Sequence, residues 1–87
     1  MKIEIFEVDN LTKEPTGLTC FEAPRYIAKK LLNHPKPIYG ICIIDNIPIQ
    51  FYLCPTGLDG DIFTDDSHYR TILKHLIPLW CIEHFEL

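Results

Sequence analysis

The sequence predicts an α+β fold: an antiparallel sheet of four to five strands with two helices on one face. Three observations carry that expectation. First, residues 38–54 hold two runs rich in β-branched and aromatic residues on either side of Asp45-Asn46, a pair that tolerates positive φ at both centres of a tight turn. Second, two segments space their apolar residues at helical period, Ile27, Ala28 and Leu31 in one and Tyr69, Ile72, Leu73 and Leu76 in the other. Third, alternating or β-rich stretches stand at both ends of the chain.

A two-residue loop at Asp45-Asn46 dictates the hairpin register. Ile44 then faces Ile47, Ile43 faces Pro48, Ile41 faces Gln50 and Tyr39 faces Tyr52. The 44/47 pair is hydrogen-bonded, so Pro48 turns its missing N–H away from its partner, where proline is tolerated if no third strand needs a donor. Period two sorts the faces. Ile38, Gly40, Cys42, Ile44, Ile47, Ile49, Phe51 and Leu53 line the core face. Tyr39, Ile41, Ile43, Pro48, Gln50 and Tyr52 take the other, which is apolar for a solvated surface. That second face is either covered by the chain or used to bind something.

Residues 2–8 alternate as a half-buried strand, and polar residues 9–17 read as a loop. Residues 18–22 read as a short strand returning against the first. Thr19 and Glu22 have capping-box spacing, but Pro24 would then fall inside the first turns of a helix and delete a hydrogen bond. The first helix therefore starts at Pro24 and ends at Asn33 before the prolines at 35 and 37. Residues 55–66 read as a loop with four aspartates in its last eight positions. Asp65 and Asp66 are placed to cap a helix over 67–77, a contribution of about 0.5–2 kcal/mol. Pro78 is expected to stop that helix, leaving 79–85 as a closing strand. The order is ββαββαβ, or the ferredoxin-like βαββαβ if 18–22 is not a strand.

Eighty-seven residues, 47% hydrophobic and 23% charged, make a single domain over 1–87. No apolar run is long enough to span a bilayer and no signal sequence opens the chain, so a cytoplasmic protein without membrane contact is expected. The four cysteines, Cys20, Cys42, Cys54 and Cys81, are then expected as reduced thiols. They form no close pair, and His68, His75 and His84 supply none, so neither a metal nor another cofactor is expected. No nucleophile elbow, phosphate loop or metalloprotease helix is present, and no catalytic residue is assigned.

Net charge is −4. Residues 1–44 carry six basic and five acidic side chains, and residues 45–87 carry two and seven. Such a chain lacks the basic footprint of direct nucleic-acid binding and suits a partner with a basic surface. Two surfaces are candidates for that contact. One is the acidic stretch with Asp59, Asp61, Asp65 and Asp66, and the other is the sheet face with Tyr39, Ile41, Gln50 and Tyr52. A homodimer through that sheet face is the alternative, making the chain a self-associating regulatory or ligand-binding module.

Residues 1–8 with 17–23 as a strand pair, then Ile27-Ala28-Lys29-Lys30-Leu31, then the hairpin over 39–53, make a pattern that resembles small anti-CRISPR proteins of phages and mobile elements. Some of those proteins are similar in running hairpin, helix, hairpin within a short acidic chain. The resemblance covers about half the chain and rests on order and spacing. It implies a non-enzymatic inhibitor in the host cytoplasm that binds a CRISPR effector subunit and blocks target nucleic acid. It carries no functional residue over.

Overall fold

A computed structural model describes residues 2–14, 20–31, 34, 37–54 and 59–87. The elements run β1 (Ile3–Val8), β2 (Cys20–Glu22), α1 (Arg25–Leu31), β3 (Ile38–Ile44), β4 (Ile47–Leu53), β5 (Asp59–Ile62) and α2 (Ser67–His84). The five strands form one open sheet in the order β1-β3-β4-β5-β2, with every pair antiparallel. This is the expected α+β class.

The central hairpin forms in the register that its turn dictates. Asp45 and Asn46 take φ of 50° and 68°, the left-handed pair of a primed turn. Ile44 faces Ile47, Tyr39 faces Tyr52 and Ile38 faces Leu53. Pro48 lies opposite Ile43 with its nitrogen turned toward the β5 side. The β4–β5 ladder stops short of it, at Phe51 opposite Ile62, with one further bond from the Phe63 amide to the Gln50 carbonyl. Among the described residues no strand asks Pro48 for a donor.

One face of the sheet meets both helices. Cys42, Ile44, Ile49, Phe51 and Leu53 from the hairpin pack with Ile27 and Leu31 of α1 and with Leu73, Ile77 and Cys81 of α2. The Phe51 ring lies over Gly40, directly opposite it, and meets Trp80 edge-on with centroids 5.5 Å apart. An aromatic ring that covers a cross-strand glycine fills the space a side chain would otherwise take.

Four expectations are corrected. Residues 20–22 do form a strand, but it pairs with β5 instead of β1. Its Phe21 sits opposite Gly60 and joins the core. Val8, Tyr39, Tyr52, Asp61 and Cys20 thus form one transverse row, with β1 and β2 at its two ends. Four strand spacings separate those ends, roughly 19 Å, a span that the intervening chain covers easily.

Residues 59–62, expected within a loop, form β5. Their polar composition conceals an alternation in which Gly60 and Ile62 turn to the helix side and Asp59 and Asp61 to the other. Gly60 is required at its position, since a Cβ there would lie 2.0 Å from the Tyr52 carbonyl oxygen.

Helix α2 does not stop at Pro78 and no closing strand follows; it continues to His84 with Pro78 inside. The proline forfeits one backbone hydrogen bond, but Leu73, Ile77 and Cys81 carry the buried stripe straight through it. The helix closes at Phe85, with Glu86 in the left-handed region and the Leu87 amide bonded to the Ile82 carbonyl at 3.0 Å. That is a Schellman end without a glycine.

Helix α1 begins one residue after Pro24, whose carbonyl accepts the Ile27 and Ala28 amides at 3.0 Å each. The expected helix end at Asn33, the strand start at 18–19 and the turn at 55–58 lie outside the described residues.

Candidate functional site

The face of the sheet away from the helices carries the predicted residues Tyr39, Ile41, Gln50 and Tyr52 together. Tyr39 and Tyr52, opposite each other on β3 and β4, stack with ring centroids 5.7 Å apart and planes inclined by 24°. Both are half-buried, as are Ile41 and Ile43.

Gln50 is held from the chain that leaves β1. Its Oε1 accepts the Thr12 and Lys13 amides at 3.1 and 3.2 Å, and its Nε2 donates to Thr12 Oγ1 at 2.6 Å. The loop therefore crosses this face over Gln50, and that side chain is engaged internally. Burial first, then the neighbouring Cys54 by charge and hydrogen bond, then Tyr39 and Asp59, push the Tyr52 hydroxyl pKa above its usual value.

The four aspartates, expected as one acidic loop, are divided between two places. Asp59 and Asp61 stand on β5, on the tyrosine side of the sheet, with Asp61 directly across from Tyr52. Asp59 is exposed and pairs across the strands with exposed Glu22. Asp61 is only 3% exposed, and its Oδ1 has no hydrogen-bond partner among the described residues. Expected as a contact residue at a loop tip, Asp61 is instead a buried side chain, because the pleat of β5 sets it beside Tyr52.

Asp65 and Asp66 belong to the start of α2. Asp66 is its N-cap: Oδ1 accepts the His68 and Tyr69 amides at 2.9 and 3.1 Å, while its own amide donates to Thr64 Oγ1 at 3.1 Å. A guanidinium nitrogen of Arg70 donates to the Thr64 carbonyl and ties the approach to the helix. Asp66→Ala is expected to cost about 1 kcal/mol of stability, measured by urea unfolding, and a loss below a few tenths would show that the cap is idle.

Sequence reasoning missed the contacts along β1. His84 Nε2 lies 2.9 Å from Glu7 Oε1, and the His84 ring stacks on Trp80 at 4.7 Å. Ile3, Ile5, Leu76, Leu79, Trp80 and Glu83 line an open groove of about 360 Å³ beside them. From the sequence, Ile3 and Ile5 are expected on one strand, Leu76 on the second helix and Leu79, Trp80 and Glu83 on a closing strand, so only the continuation of α2 past Pro78 reveals the groove. The apolar spacing Leu73, Ile77, Cys81 was the available signal.

Among the described residues no group of three or more His, Cys, Asp or Glu side chains could hold a metal ion. No helix is long and apolar enough to cross a membrane. Comparison with protein-family models, with curated proteins and with solved structures finds no significant match to this chain.

Proposed function

We propose that the protein is a non-enzymatic binding protein that docks the tyrosine face of its sheet on a basic surface of a protein partner. One observation carries the reading. The stacked Tyr39–Tyr52 pair adjoins the exposed carboxylates of Asp59 and Glu22 on the neighbouring strands β5 and β2. A lysine or arginine arriving there meets aromatic faces and carboxylates together, and each cation–π contact contributes roughly 0.5–2 kcal/mol depending on desolvation. The −5 balance of residues 45–87, from two basic and seven acidic side chains, steers such a partner toward this half of the chain.

A surface of this kind competes with nucleic acid for a cationic channel. That supports an anti-CRISPR type of inhibitor, acting in the cytoplasm by occupying the target-binding path of an effector complex. Of the resembling pattern the helix and the central hairpin form, whereas its first strand pair does not, because β2 joins β5. The test is target-DNA binding by purified effector complexes, titrated with this protein at two salt concentrations. Inhibition is expected that weakens as salt rises. The double variant Tyr39→Ala with Tyr52→Ala should lose at least about tenfold in potency while still melting cooperatively. Full potency in that variant, or no inhibition of any effector, overturns the proposal.

A further inference from the structure

Beyond that reading, we infer that the free edge of β1 and the neighbouring ridge of α2 form a two-fold interface with a second copy of this chain. The backbone is ready for pairing. The Asp45 amide bonds to the Lys2 carbonyl at 3.2 Å, so even-numbered residues of β1 address β3. Ile3, Ile5 and Glu7 therefore turn their amides and carbonyls outward from a terminal strand. Among the described residues no strand pairs with this edge, and an edge of this length is a template for another strand.

The helix above the edge has the direction a dyad requires. Leu76, Leu79 and Trp80 line the groove with Ile3 and Ile5, and His84 reaches Glu7 further along. The second half of α2 thus runs alongside β1 in the same sense. One two-fold axis perpendicular to the sheet sets both elements antiparallel to their mates, as an isologous interface demands. Leu79, 57% exposed, would meet Leu79 of the second copy.

Charge selects the occupant and the register. A dyad at Glu4 opposes two glutamates, and a dyad at Ile5 sets Ile3 against Glu7, which already holds His84. A dyad at Ile3 instead places Lys2, 3.7 Å from Glu4 of its own chain, across from Glu4 of the second copy, twice, so that four charges of alternating sign meet, and opposite charges directly across a strand pair stabilise it. On the helix, centring on Leu79 brings His75, one turn before it, to Glu83 of the second copy, one turn after it. His75 and Glu83 are both exposed. The edge is thus complementary to its own reverse. Because the dyad is perpendicular to the sheet, the tyrosine faces of both copies stay uncovered and point the same way.

Sedimentation equilibrium from micromolar to millimolar concentration tests this. A monomer–dimer equilibrium is expected for the native chain. Leu79→Lys and, separately, Lys2→Glu should each raise the dissociation constant at least about tenfold. The charge swap combining Lys2→Glu with Glu4→Lys should restore the native value. Both sites are exposed, and a cooperative melt of each variant establishes that it folds. A chain that stays monomeric throughout, including one whose edge instead captures a strand of another protein, overturns the inference. So does a dimer indifferent to Leu79→Lys, or a charge swap that fails to restore association.

Discussion

Phe51→Ala is expected to remove about 3–5 kcal/mol of folding stability, a third or more of what a domain of this size commonly possesses. Phe51 is fully buried at the centre of the hairpin, with Trp80 edge-on to its ring and Gly40 beneath it. Its removal leaves a cavity between sheet and helix that neither rigid layer can close. The reciprocal change is informative. A Cβ on Gly40 would lie 2.1 Å from Phe51 Cζ, so Gly40→Ala forces the ring aside at a cost on the order of 1–3 kcal/mol. Combining Gly40→Ala with Phe51→Leu should cost less than the two single changes together, since leucine yields the space that alanine needs. Urea unfolding of the native chain, Gly40→Ala, Phe51→Leu and their combination measures the coupling, with Phe51→Ala measured alongside. Simple additivity, or a loss below about 1 kcal/mol for Phe51→Ala, would show that the ring does not hold the layers together.

Alkaline pH is expected to unfold the protein well below the range where lysines titrate fully. Burial pushes the Cys42 thiol from 9.0 up to about 11. Burial, and to a smaller degree the charge of Glu7, pushes the Cys81 thiol from 9.0 up to about 12. Both groups bind their protons more tightly folded than unfolded, so the native state is favoured fully below pH 9. From there the unfolded chain releases protons that the folded chain retains. Stability then falls by roughly 1.4 kcal/mol per pH unit for each thiol until its folded pKa is reached. The two terms overlap between pH 9 and about 11. Urea midpoints measured across pH 7–11 should be flat at first and then decline steeply. The variant Cys42→Ala with Cys81→Ala should lose most of that decline, though it is less stable at neutral pH. A native chain with unchanged midpoints through pH 10.5, or a decline that persists in the double variant, contradicts the account.

The hairpin was legible in the sequence because its information is local. Asp45-Asn46 sets the turn, the turn sets the register, and the register sorts every side chain from 38 to 53 onto a face. The same reasoning placed Asp66 as a cap, since a cap is defined by its next few residues. What was not legible depended on distant partners. Nothing within 18–22 states that Phe21 seeks Gly60 in preference to β1. Asp59-Gly60-Asp61 reads as a turn until Tyr52 and Leu53 are known to lie beside it. Pro78 is a helix stop by local rule, and was overruled by the buried stripe through Leu73, Ile77 and Cys81. For the site, alternation brought Tyr39, Ile41, Gln50 and Tyr52 to one face. The internal clasp of Thr12 on Gln50 and the burial of Asp61 needed the third dimension.

The placement of β1 and β2 at opposite edges of the sheet has a consequence for how the chain acquires its shape during synthesis. Both edge strands leave the ribosome before the strands that receive them, β1 ahead of β3 and β2 ahead of β5. Neither can pair with the other, because three strands must come to stand between them. The hairpin over 38–53, closed by a two-residue loop, is the first long piece of sheet able to form from neighbours in sequence, on a microsecond timescale. β1 can then add to its one side, but β2 must wait until residue 62 has emerged. The loop over Gln50 is drawn across the hairpin as the second edge docks. Closure of the sheet is therefore set by long loop closures, which are slow relative to hairpin formation, and the order of events runs from the middle of the sheet outward.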